Sequence, residues 1–100
     1  MLEPYIMGGE KSTSTQITTR PGIILAVDIL PPDAGIAVLK IYDSNSASTA
    51  EKIIFEAATP AGTSSTNFVL TAGRFVGKGI YAVLTDASST CKFNVGYSVV

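Results

Sequence analysis

Apolar and polar residues alternate with a period of two along most of this chain. The last segment is the clearest case. Cys91, Phe93, Val95, Tyr97 and Val99 fall on one face, and Lys92, Asn94, Gly96 and Ser98 on the other. Successive side chains on a strand point to opposite faces, so this segment predicts a strand with one buried and one wet face. Gly79–Thr85 before it is apolar throughout, and Asp86-Ala87-Ser88-Ser89-Thr90 is a short polar connection, which together predict a hairpin. A lone hairpin is marginal in water and needs a second sheet to pack on.

Earlier segments supply that sheet. Gly22–Leu30 places Ile23, Leu25, Val27 and Ile29 on one face, opposite Ile24, Ala26, Asp28 and Leu30. The uninterrupted apolar face is expected inward. In Gly35–Asp43, Ala37, Leu39 and Ile41 face the core, while Lys40 and Tyr42 mark the wet side. Lys52–Ala58 and Thr63–Leu70 read as two more strands, with Phe55, Phe68 and Leu70 inward. Thr71-Ala72-Gly73-Arg74 reads as a turn before a short extended Phe75-Val76. Ser14–Thr19 alternates weakly and reads as an edge strand. The Pro- and Gly-bearing breaks recur every 8–12 residues or so, which is the signature of an all-β sandwich or barrel. The expected fold is an antiparallel two-sheet sandwich of seven or eight short strands in jelly-roll or Greek-key order. Its expected core is Ile23, Leu25, Val27, Leu39, Ile41, Phe55, Phe68, Leu70, Phe93, Val95 and Tyr97.

The first nineteen residues differ from the rest. Leu2, Pro4, Tyr5, Ile6 and Met7 form an apolar cluster, Gly8-Gly9 breaks it, and Glu10–Thr19 is mostly polar. Residues 1–19 therefore read as an extended N-terminal arm and residues 20–100 as the sandwich. Leu2, Tyr5, Ile6 and Met7 are the candidate partner-binding residues, because they are unusual choices for a solvated tail.

Composition narrows the function. One hundred residues make one domain, with 46% apolar and only 15% charged residues, so disorder is not expected. Twenty-one Ser and Thr provide most of the polar surface, and hydroxyls are cheaper to bury against a partner than charges. The seven Lys and Arg are scattered singly and the net charge is −1, which argues against direct nucleic-acid binding. No apolar run predicts a leader or a membrane span.

Candidate chemistry is sparse. Without histidine there is no Ser-His-Asp or Cys-His nucleophile and no His-based proton transfer. The single cysteine, Cys91, falls in register with Phe93 and reads as a small buried hydrophobe. Asp43-Ser44-Asn45 opens like a calcium loop, but the sixth position is Ser48 and the twelfth Ile54, so an Asx-type turn is the better reading. Asp28 is the one acid inside a strongly apolar strand. It reads as an outer-face residue bonded to turn groups or facing a neighbouring subunit, rather than as a catalytic carboxylate. No cofactor and no metal is expected, and the chain does not read as an enzyme.

The order of pieces resembles the small β-sandwich virion proteins of tailed bacteriophages. The stretches that carry the resemblance are GIILAVDIL, GIAVLKIYDSNSASTAEKIIF, NFVLTAGRFVGKGIYAVLTDAS and CKFNVGYSVV, distributed over roughly residues 20–100. The resemblance implies a structural protein of the virion, a capsid decoration or cement protein that bridges major capsid subunits. Its partners would be a major capsid protein or another virion protein, and a homo-oligomer, guessed to be a trimer. The alternative within the same group is a carbohydrate- or host-binding module of a fibre or tail, using the Asp43–Thr49 and Asp86–Thr90 loops.

Overall fold

The computed structural model describes residues 6–7, 9–86 and 88–99. They form eight strands and, among the described residues, no helix: β1 (Ile6–Met7), β2 (Thr15–Thr18), β3 (Gly22–Leu30), β4 (Ile36–Asp43), β5 (Ile53–Pro60), β6 (Thr66–Val76), β7 (Ile80–Thr85) and β8 (Lys92–Val99). Two antiparallel sheets pack face to face. The front sheet has the order β1-β8-β3-β6, and the back sheet β2-β7-β4-β5.

This order follows one rule. β4 pairs with β5, β3 with β6, β2 with β7 and β1 with β8. The chain is a long four-layered hairpin rolled up so that β3 also pairs with β8 and β4 with β7. That is the jelly roll, two interlocked Greek keys. The segment read as an arm contributes an edge strand to each sheet. Ile6 and Met7 pair with Tyr97 and Gly96, and Lys11 exchanges both backbone hydrogen bonds with Phe93 at 2.8 Å.

The core consists of Ile24, Val27, Ile29, Ala37, Leu39, Ile41, Val76, Ile80, Ala82, Cys91, Phe93, Val95, Tyr97 and Val99. Phe55, Phe68 and Leu70 are half-buried against it. The Phe55 and Phe68 rings meet edge-on with centroids 5.3 Å apart, closing the sandwich between the edge strands β5 and β6. The accessible surface is 5230 Å², close to the roughly 5,400 Å² that size alone predicts for a folded monomer. Exposed apolar side chains on this molecule are therefore not the mark of an unfinished core.

The expected inward placement of Ile23 and Leu25 is corrected. The pairing of β3 with both neighbours shifts between Ile24 and Ala26. Leu25 is an extra residue against β8, a β-bulge, and it reverses the faces of everything before it. Ile24 is fully buried, whereas Ile23 and Leu25 are half-buried on the outer side. The same site accounts for the turn expected at Thr71–Arg74. β6 continues through it as one strand, but Leu70 to Gly73 bulge out between the pairs Ala26–Val69 and Ile24–Arg74. Gly73 makes this possible with φ +73°, and a Cβ there would overlap the Ile23 side chain.

Tyr42 also differs from expectation. It lies on the outer face of the back sheet but is only 7% exposed, packed beside Tyr81 at a ring separation of 6.4 Å.

Candidate partner-binding face

The register across the front sheet sorts its outer face into rows. At one end, Ser98, Ile23 and Phe75 stand side by side on β8, β3 and β6. The next row is Gly96, Ala26 and Val69, then Asn94, Asp28 and Asn67. Lys92 and Leu30 finish the face. The face is thus apolar at one end and polar at the other, and the β3 bulge makes it so. Without the bulge, Ile23 and Leu25 would enter the core and Ile24 would face out.

At the apolar end, Val69 and Phe75 are 68% and 67% exposed, on the edge strand β6. Half-buried Ile23 and Leu25 lie next to them. Gly96 and Ser98, expected on the wet face, are buried, and Ala26 is half-buried, so the exposed apolar surface at this end is carried by β6. Inward-pointing Arg74 donates from Nη1 to the Ile54 carbonyl at 3.2 Å, joining the two sheets at the edge. An inward charge of this kind also guards an edge strand against pairing with another chain.

At the polar end, a groove of about 330 Å³ is lined by Glu10, Asp28, Leu30, Asn67, Lys92 and Asn94, with Ser65 and Thr66 at the start of β6 and the strand residues Ile29 and Phe93. Asn67 donates from Nδ2 to Asp28 Oδ1. Lys92 Nζ lies 3.5 Å from Glu10 Oε1. Asn94 Oδ1 is enclosed and accepts no hydrogen bond from the protein. Asp28 stands on the outer face as expected, but its partner is an amide of the adjacent strand and not a turn group. The other members of the groove escaped the sequence reading. Asn67 and Asn94 are ordinary outward positions on their own strands, and only the pairing of β6 and β8 with β3 brings them beside Asp28.

The candidate residues of the N-terminal segment are split. Leu2 and Tyr5 lie outside the described residues. Ile6 and Met7 form β1, at the opposite edge of this sheet from β6.

The two loops considered for ligand binding are held together by their own carboxylates. Asp43 Oδ1 accepts from the amides of Lys78 at 2.8 Å and Gly79 at 3.3 Å, and Oδ2 accepts from Gly77 at 3.0 Å. Burial pushes this carboxyl up, but the three amides and the nearby Lys78 charge outweigh it and leave its pKa lowered. Asp86 accepts from the Cys91 amide at 2.7 Å, from the Thr90 amide at 2.9 Å, and from the amide and hydroxyl of Ser88 at 3.1 and 2.9 Å. The Cys91 amide does most to lower its pKa; desolvation opposes this, and the Ser88 and Thr90 groups add to it. Asp86 thus makes an Asx-type turn, whereas Asp43, where an Asx-type turn was expected, ties its loop to the β6–β7 connection, and the local turn there is made by Ser44 Oγ accepting from the Ser46 and Ser48 amides at 3.2 Å. Gln16 ties β2 to the first of these loops. Its Nε2 lies 2.8 Å from the Ser44 carbonyl, and its Oε1 accepts from the Ala47 amide at 2.8 Å. With Tyr42 packed away, neither loop presents an aromatic platform with free carboxylates beside it.

Comparison with protein-family models, with curated proteins and with solved structures finds no match for the chain.

Proposed function

We propose that this chain is a structural virion protein of the capsid decoration or cement type, docking through its front sheet on an array of major capsid subunits. The observation that carries the reading is the pair Val69 and Phe75. Two large apolar side chains stand two-thirds exposed on a rigid sheet face, beside Ile23 and Leu25. An apolar row with a polar border is the form of a protein-binding surface. The resemblance in residues 20–100 supplies the kind of partner. Ile6–Met7 marks a second contact point at the other edge of the same sheet, about three strand spacings or roughly 14 Å away. Two contacts so placed, repeated in a homo-oligomer, bridge neighbouring lattice subunits and resist their separation. The work is mechanical and uses no catalytic group.

The test is co-sedimentation with capsids that lack the protein. Phe75→Asp and Val69→Asp alter exposed positions, so each should keep its thermal midpoint within a few degrees. The double variant should lose occupancy on the particle at least tenfold. Unchanged occupancy refutes docking through this face. Sedimentation velocity of the free protein tests the trimer, and a monomer at all concentrations refutes it.

A further inference from the structure

We infer that the polar groove of the front sheet is a binding site for a neutral saccharide unit. The inference is independent of the lattice reading, because it uses the other end of the face and none of the same side chains.

Charge narrows the ligand first. The groove carries two carboxylates, Asp28 and Glu10, and one cation, Lys92, which Glu10 already engages at 3.5 Å. An anion would meet a net negative wall. A calcium ion takes six to eight oxygens with several carboxylates among them, and here one of only two carboxylates is committed to Lys92. A neutral ligand rich in hydrogen bonds remains.

Hydrogen-bond supply narrows it further. Asn94, Asp28 and Asn67 form one row across three strands. Asn67 spends one Nδ2 proton on Asp28 and keeps the other, together with its own oxygen. Asn94 stands beside Asp28 in the row with its Oδ1 enclosed, so what it can offer a ligand is its amide protons. The row therefore holds both donors, the amide protons of Asn94 and Asn67, and acceptors, the oxygens of Asp28 and Asn67, and a hydroxyl group is both at once. Neighbouring strands lie about 4.7–4.9 Å apart. Equatorial hydroxyls on alternate carbons of a six-membered sugar ring are separated by nearly the same distance. Leu30, 44% exposed at the end of the face, offers an apolar surface for the C–H side of the ring. The volume, about 330 Å³, suits one such ring. No aromatic ring is exposed in the groove, so a single unit binds weakly, and an array of copies supplies the avidity.

The experiment is a ¹H–¹⁵N NMR titration of the full chain with methyl β-D-glucopyranoside, whose O2 and O4 are both equatorial. Methyl β-D-galactopyranoside, whose O4 is axial, and calcium chloride are the comparison arms. The expected result is a saturable shift of the Asn67 and Asn94 side-chain amides and of the backbone at 28 and 92–94. The galactoside should bind about threefold more weakly or worse, as one lost hydrogen bond predicts. Asp28→Ala should abolish the shifts; if that variant does not fold, Asn67→Ala, at an exposed edge position, is read in its place. The inference is overturned by no saturable shift, by shifts that survive the substitution or map elsewhere, by equal binding of the two glycosides, or by calcium alone moving the same amides.

Discussion

Ile23 and Ile24 are the same residue type at adjacent positions, and the bulge in β3 gives them opposite fates. Ile24 is fully buried between the sheets, and Ile23 is half-buried on the outer face. Truncating a buried isoleucine to alanine costs about 2–5 kcal/mol, the spread reflecting how far the cavity collapses. Ile24 lies beside Tyr97 on β8, in a core closed on both sides, so about 3 kcal/mol is the expected cost. For a domain of this size about 4–8 °C is lost per kcal/mol, so the midpoint of Ile24→Ala should fall by roughly 12–24 °C. Ile23→Ala removes a side chain that keeps part of its solvent contact, and about 1 kcal/mol or less is expected. Thermal melts followed by circular dichroism, with urea titrations to confirm equal m-values, measure both. If Ile23→Ala costs as much as Ile24→Ala or more, the bulge is misplaced and the assignment of the whole outer face falls with it.

Three further outcomes follow from the packing and the turns. A Cβ at Gly22 would run into the Ser98 carbonyl oxygen and come within 3.0 Å of Val99 Cα, both backbone atoms that cannot yield, so Gly22→Ala should prevent the soluble protein from accumulating on expression. Asp43 and Asp86 both have lowered folded-state pKa values, so their contribution is full above the unfolded value and is lost as pH falls through the folded one. The thermal midpoint should therefore hold from pH 7 to about pH 5 and drop below about pH 4, a loss that the double Asp→Asn variant should lack in differential scanning fluorimetry. Burial pushes the Cys91 thiol up, with the Asp86 charge adding to it, so a thiol-reactive dye at pH 8 should label it only as fast as the chain unfolds; labelling at the rate of a free thiol would put Cys91 outside the core.

The sequence made the architecture legible wherever a single strand reports its own faces. β4 and most of β8 behave as their alternation says, with Ala37, Leu39 and Ile41 inward, and Phe93, Val95 and Tyr97 inward. It misled where two strands had to be compared. The bulge at Leu25 inverts GIILAVDIL, a run so uniformly apolar that either phase looks like a core face. The excursion at Leu70–Gly73 looks like a turn because its glycine does adopt a turn conformation, yet the strand resumes beyond it. Thr15–Thr18 is the edge strand that the weak alternation of Ser14–Thr19 predicts, whereas Ile6–Met7 does not read as a strand because two residues are too few to show a period. The groove was legible only in Asp28, since its other members meet across strands far apart in sequence.

The pairing of first with last has a consequence for how the protein is made. β8 is the last of these eight strands to be synthesised, yet it lies in the interior of its sheet, between β1 and β3. Until it arrives, β3 lacks a neighbour on one side, and Ile24, Val27 and Ile29 have no Phe93, Val95 or Tyr97 beside them. The β4–β5 hairpin can form early, because its strands are adjacent in the chain, and the outer pairs must then close in turn over ever longer loops. The nascent chain is therefore least protected just before β8 emerges. A ribosome stalled between β7 and β8 would hold a sticky, half-rolled intermediate, and a nonsense mutation in codons 86–91 should yield aggregate or degraded fragment in place of the sandwich.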